Sequence, residues 1–336
     1  MRIEHGGALD RAIERFGGVR EVWIDLSTGI NPEIFPLPAI APDIWNRLPD
    51  EKLLAATLAA ARDHYGAGTA AHVVAAPGTQ ALIQLLPDIA GKGEVAILGP
   101  TYQEHQVSFL DAGWMISDCR NVEDVPQSAS VAVIVNPNNP DGRVIAADVL
   151  LELARRLAAK GGFLIVDEAF ADPHPETSVA RYAGMAGLVV LKSFGKFFGL
   201  GGLRLGFALT NGDVARALTR RLGPWAASGP ALAIATHAFS NRQLLNAFTD
   251  RLRLRRRLLS DVLGDAGLAE FGGTMLFSLV EFRQAQRLHE AMCHEHVLTR
   301  KFAYAPQWLR FGLPLDDKAA YKLRQRLDAA LARVGG

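Results

Sequence analysis

Ser193-Phe194-Gly195-Lys196-Phe197-Phe198-Gly199-Leu200-Gly201-Gly202-Leu203-Arg204-Leu205-Gly206 reads as S-x-x-K-x-x-G-L-x-G-x-R-x-G. This one stretch supplies a nucleophilic amine, a hydroxyl, a guanidinium and several glycines. An amine forms a Schiff base with an aldehyde, while a hydroxyl and a guanidinium hold phosphate. The run therefore predicts a site for an aldehyde cofactor that carries a phosphate, with Lys196 as the amine. Lys192, four residues earlier, is the rival amine and is expected to end a strand.

Outward from this run, short apolar segments alternate with helical patterns. Residues 72–76, 94–98, 131–135, 163–166 and 188–191 read as strands. Val149, Leu150, Leu153 and Leu157 recur at helical spacing, and Gly161-Gly162 closes that helix. Continuous apolar strands separated by helices predict an α/β fold with a mainly parallel sheet between helices. Polar residues cluster just after these strands, where open α/β sheets bind ligands. After about residue 213 helices dominate, over 214–222, 230–263 and 316–334, with a βαβ-like stretch over 275–296. The expected division is an N-terminal segment (1–44), a large cofactor-binding domain (45–215) and a smaller α/β C-terminal domain (216–336).

The 193–206 run resembles the signature of the class I/II aminotransferases, which are fold type I enzymes of pyridoxal 5′-phosphate (PLP). Partner motifs follow in the order that this resemblance requires. It implies that Lys196 is the catalytic amine and that Asp167, in Ile165-Val166-Asp167-Glu168-Ala169-Phe170, keeps the pyridine nitrogen protonated, with Ala169 beneath the ring. Asn136-Pro137-Asn138-Asn139-Pro140-Asp141-Gly142 resembles the family's N-P-x-N-P-x-G element, which makes Asn139 the partner of the ring oxygen. Phe170 stands where many aminotransferases carry a tyrosine, and it has no hydroxyl to offer. Gly78, Thr79 and Gln80 join a strand to a helix, where free N–H groups hold phosphate; Ser193 and Arg204 would assist them. Tyr102 matches the aromatic that stacks on the ring, with His105 as its rival, and the late Arg310 matches the arginine that holds the substrate carboxylate in two parallel hydrogen bonds.

His5-Gly6-Gly7 and Asp25-Leu26-Ser27-Thr28-Gly29-Ile30-Asn31-Pro32 look like the start of the threonine-phosphate decarboxylases of cobalamin biosynthesis, as does Phe170. That resemblance implies a phosphorylated amino acid as substrate. Its contacts would come from His5, Gly6, Asn31, Arg300 and Arg310. The alternative is a histidinol-phosphate or other amino-acid aminotransferase, which shares every cofactor residue. Two departures stand out: Leu48 occupies the place of a tyrosine that reaches the neighbouring subunit's cofactor, and Pro314 lies where a further arginine is common. Fold type I enzymes are usually homodimers, so the resemblance implies one here.

Composition narrows the remaining classes. Lys plus Arg is 36 against 35 for Asp plus Glu, a net charge of +1, so no field draws the chain to nucleic acid or membrane. The basic run from Arg251 to Arg257 is expected to be a helix with a solvated face. Two cysteines are too few for a disulfide framework, and the N-terminus lacks the apolar core of a signal peptide. A cytoplasmic protein is expected. His289, Cys293, His294 and His296 fall short of a full zinc ligand set, so no metal is expected.

Overall fold

Every residue of Val131–Val135 is buried, as its unbroken apolar pattern predicts. The computed structural model describes residues 5–335 and places this run inside a seven-stranded sheet. The chain begins with α1 (Leu9–Phe16), β1 (Ile24–Asp25), α2 (Pro42–Asn46) and α3 (Glu51–His64). The sheet then takes β2 (His72–Ala76), β3 (Glu94–Leu98), β4 (Met115–Cys119), β5 (Val131–Val135), β6 (Phe163–Asp167), β7 (Leu188–Ser193) and β8 (Gly206–Thr210). Between these strands lie α4 (Thr79–Ile89), α5 (Glu104–Asp111), α6 (Ala147–Ala158) and the short α7 (Phe194–Phe197). After α8 (Gly212–Leu222) and α9 (Gly229–Ser240), the chain continues through α10 (Arg242–Asp265), β9 (Glu270–Thr274), β10 (Phe277–Glu281) and α11 (Ala285–His294). It closes with β11 (Val297–Leu298), β12 (Arg300–Lys301), β13 (Trp308–Gly312) and α12 (Asp317–Gly335).

The sheet order is β2-β8-β7-β6-β5-β3-β4. Strands β3 to β7 pair in parallel, and only β8 is reversed, against both β7 and β2. The sequence reading missed β4, whose Ser117 and Asp118 break the apolar pattern at the sheet edge. It also missed β8, which begins inside the motif run. Alternate residues serve opposite faces. Val131, Val133, Ile165, Val189 and Leu191 pack with Leu82, Ile83 and Leu86 of α4 and Leu218 of α8. Ala132, Ile134, Leu164, Val166 and Val190 are buried on the other face.

Two compact units emerge. One comprises 35–139 and 143–246; the other comprises the segment ending at Ile34, 140–142, and the chain from Ala247 onward. The first reaches beyond the expected 45–215 because α8 packs on α4 and β2, and α9 packs on α3. The helix expected over 230–263 breaks at Asn241, whose side chain accepts from the Leu244 N–H at 3.1 Å and caps α10.

The second unit contains a four-stranded antiparallel sheet, β12-β13-β10-β9, and β1 pairs in parallel with β11. The β9–β10 hairpin was not foreseen; Gly272 and Gly273 dilute its strand pattern. The basic run on α10 is less solvated than expected. Arg251 and Arg255 pair with Glu33 at 2.9 and 2.7 Å, and Arg256 pairs with Glu270 at 2.5 Å. Among the described residues no helix is long and apolar enough to cross a membrane.

Candidate active site

Lys196 is carried by a helix too short to hold itself. Residues Phe194–Phe197 form a single turn, and nucleating one turn is unfavourable without tertiary support. Here the support is aromatic. Phe194 and Phe198 stack at 4.2 Å, Phe239 meets Phe194 edge-on at 5.3 Å, and Phe35 meets Phe198 edge-on at 5.4 Å. Phe194, Phe197 and Phe198 are all buried. Lys196 Nζ lies 5.7 Å from the centroid of the Phe170 ring.

Above this bed lies a cavity of about 180 Å³. Gly78, Thr79 and Gln80 line one part of it, and Ser193, Lys196 and Arg204 another. Tyr102, Asn139, Asp167 and Ala169 complete the set expected from the sequence, and Phe170 joins them. All ten predicted cofactor residues thus face one space.

The cavity fits PLP on its own geometry. At one end α4 starts at Thr79, directly after Gly78 at φ +85°, so its first N–H groups are available to an anion. A Cβ on Gly78 would lie 2.7 Å from Nη2 of Arg204, so the glycine keeps the guanidinium close to the helix start. Arg204 is fixed in turn: its backbone is left-handed (φ +53°), and its Nη1 donates to the Gly201 carbonyl at 2.9 Å. A side chain on Gly206 would strike the Thr79 N–H at 2.5 Å. These groups form a cradle that would suit a phosphate. At the other end Asp167, 3% exposed, accepts from the Ala169 N–H at 3.1 Å through Oδ1. Its Oδ2 lies 2.9 Å from Nε2 of His105. A buried, fixed carboxylate suits a protonated ring nitrogen.

His105 was expected only as a rival for stacking. The structure buries it against Asp167 instead. Gln80 also does more than predicted. Its Nε2 donates to Glu104 at 2.7 Å, and its Oε1 accepts from the Tyr102 hydroxyl at 3.2 Å. Burial, then the charges of Glu104 and Asp167, push the Tyr102 phenol well up, so it remains a donor. The asparagine-rich turn divides its labour. Asn136 accepts from the Ile145 N–H at 2.8 Å, and Asn138 accepts from the Thr101 hydroxyl at 2.6 Å. Asn139 lines the cavity.

The five residues expected to contact substrate belong to the other unit. Arg310 is 6% exposed, and its Nη2 donates to the Ser27 carbonyl at 2.9 Å. Its guanidinium carbon lies 4.8 Å from the Phe277 ring centroid. Arg300 is its direct partner across β12 and β13. Burial, then the Arg300 charge, push Arg310 down to about 9, so it remains charged at neutral pH. Gly6 packs against the same Ser27: a Cβ there would lie 2.2 Å from the carbonyl oxygen. The Gly7 N–H donates to Ser27 Oγ at 2.8 Å. Asn31 is buried and accepts from the Glu33 N–H at 3.1 Å, while His5 is exposed. Below them His289 Nδ1 lies 2.9 Å from Thr299 Oγ1, and Cys293 Sγ lies 3.8 Å from His289 Nε2.

The model of the class I and II aminotransferase family matches residues 32–327. The chain belongs to that family. Within these aminotransferases it is 44% identical over 334 residues to a threonine-phosphate decarboxylase from a Sinorhizobium species, across 99% of this chain and 98% of that one. The threonine-phosphate decarboxylase of Pseudomonas aeruginosa is 41% identical over 333 residues, across 98% of this chain and 97% of that one. Both matches extend into the segment before residue 32, which the broader family model leaves out. A solved histidinol-phosphate aminotransferase from Sinorhizobium meliloti, in complex with PLP, has the same fold: TM-score 0.82 at 18% identity, across 99% of this chain and 96% of that one.

Proposed function

We infer that this chain decarboxylates L-threonine O-3-phosphate to (R)-1-aminopropan-2-yl phosphate and carbon dioxide, with PLP as its cofactor. The observation that carries this reading is the 44% and 41% identity to two threonine-phosphate decarboxylases over nearly the whole chain. The product is the phosphorylated aminopropanol linker of cobalamin, so the reaction belongs to that biosynthesis.

When bound, PLP supplies an electron sink for a bond at the substrate Cα. The chain's residues do the rest. Lys196 would hold the cofactor through its amine and would manage the proton at Cα. Asp167, fixed by His105, keeps a proton on the ring nitrogen. Asn139 would bond the ring oxygen, and Tyr102 and Ala169 would pack against the ring. Gly78, Thr79, Gln80, Ser193 and Arg204 hold the cofactor phosphate. Arg310 takes the substrate carboxylate, while Arg300, His5, Gly6 and Asn31 serve the substrate phosphate. Bond orientation at Cα decides between loss of carbon dioxide and transfer of the amine, and Arg300 and Arg310 would set that orientation.

We place the enzyme in the cytoplasm as a homodimer. Two buried, unbridged cysteines suit a reducing compartment. Leu37, Trp45, Leu48 and Trp225 are each more than half exposed, and a dimer that covered them would bury this apolar surface. A monomer by light scattering would reject the dimer.

The decisive experiment is a product assay. Purified, PLP-loaded protein is incubated with L-threonine O-3-phosphate, with and without a keto acid, and products are identified by mass spectrometry. Aminopropanol phosphate and carbon dioxide, formed without a keto acid, are expected. A keto product that requires an amino acceptor would make the chain an aminotransferase.

A further inference from the structure

A second buried polar group stands behind the cofactor cavity, and the reaction uses none of its members. Strand alternation sends Asp167 and Ser193 to the sheet face shared by Ile165 and Leu191, and sends Lys192 to the opposite face with Val190. There Lys192 is 2% exposed and its Nζ lies 2.5 Å from Oε2 of the fully buried Glu168. The same Nζ donates to Ser178 Oγ at 3.1 Å and lies 4.8 Å from the centroid of the Tyr65 ring.

Glu168 is saturated. Its Oε2 accepts from the Ser178 hydroxyl at 2.5 Å, and its Oε1 accepts from the Val179 N–H at 2.7 Å. Its own N–H donates to the Leu191 carbonyl at 2.9 Å, which extends the β6–β7 ladder one residue beyond Asp167. One carboxylate therefore ties together the end of β6, the end of β7 and the loop at 178–179. Each tied strand end presents a cavity residue as its immediate neighbour: Asp167 precedes Glu168, and Ser193 follows Lys192.

Stability alone does not explain this pair. Apolar residues of similar volume commonly fill such a space at no loss, whereas removing one partner strands a buried charge. What an apolar pair lacks is direction. A carboxylate with fixed donors on both oxygens sets the lateral spacing and register of the two strand ends. We propose that Lys192 and Glu168, with Ser178, are positioning residues that hold Asp167 and Ser193 at the separation needed to bind PLP through its ring nitrogen and its phosphate at once. This rests on the reading of the cavity as a PLP site.

The test is a Lys192→Met/Glu168→Met double variant of the full chain, which removes both charges and keeps the volume. Three quantities are compared with the parent: the thermal midpoint without cofactor, the affinity for PLP by absorbance titration, and the pH midpoint of the visible absorbance of the loaded protein. The double variant is expected to melt close to the parent, to bind PLP about tenfold or more weakly, by analogy with groups that orient metal ligands, and to show a displaced pH midpoint. Parental melting together with parental affinity and pH midpoint would reduce the pair to core filling and overturn the proposal. Should the double variant not fold, Glu168→Gln keeps size and an acceptor for Val179 while removing the charge. Weakened PLP binding in a folded Glu168→Gln protein supports positioning, and unchanged binding overturns it. A parent chain that binds no PLP would instead defeat the cofactor reading itself, so the two failures are distinguishable.

Discussion

The cofactor cavity and the arginine cluster are gathered in different ways. The cavity draws on one sheet, at the places where strands end and helices begin, so its contributions fall in short stretches of chain: within 78–80, at 102 and 139, within 167–170 and within 193–205. The arginine cluster joins a segment before residue 32 to strands after residue 299, and its bonds run largely through backbone. Arg310 and Gly6 meet at a single carbonyl, that of Ser27. A site built on strand ends keeps its chemistry in side-chain types at fixed spacing. A site built on backbone oxygens and small residues leaves little in the sequence except isolated cations.

That contrast can be broken most forcefully at Lys196. Lys196→Ala should lower decarboxylation about 10³-fold or more and remove the visible absorbance of the PLP-treated protein. An active alanine variant in the product assay would detach the chemistry from the cavity. Arg310→Lys tests the other side. A point charge cannot reproduce the fork of a guanidinium, so KM for L-threonine O-3-phosphate should rise roughly 10- to 100-fold, with PLP affinity unchanged. Loss of PLP binding in that variant would mean that the two regions are not functionally separate.

The smallest effect lies beneath the cluster. Burial, then the charges of Lys301, Arg300 and Arg15, push His289 from 6.5 down to about 4. The unfolded chain therefore takes up this proton at a higher pH than the folded protein does. The contribution of neutral His289 is fully present above about pH 6.5 and is lost progressively as pH falls toward 4. His289→Gln should flatten that acid branch by about 1–2 kcal/mol, read from denaturant unfolding at neutral and at mildly acidic pH. An unchanged acid branch would place the sensitivity elsewhere.

The same contrast explains what the sequence disclosed. Strands with unbroken apolar runs were legible, and the resemblance to the aminotransferases pointed to ten residues that line one cavity. Strand β4 was not, since Ser117 and Asp118 interrupt it, and the hairpin at β9 hid behind two glycines. Asn241 divides a continuous helical pattern through a side-chain cap that periodicity alone does not register. The bond from His105 to Asp167 spans 62 positions, and nothing local encodes it. Glycines 6 and 78 could be quoted from the sequence, but the close approaches that require them are long-range.

The aromatic bed beneath Lys196 has one more consequence. Because α7 is a single turn, much of the accuracy of the amine's placement is stored as packing density. A void opened under Phe198 would leave every chemically active atom in the chain, yet widen the thermal amplitude of the lysine. The phenylalanines that keep the amine still form one packed unit, so a change in one is felt by all.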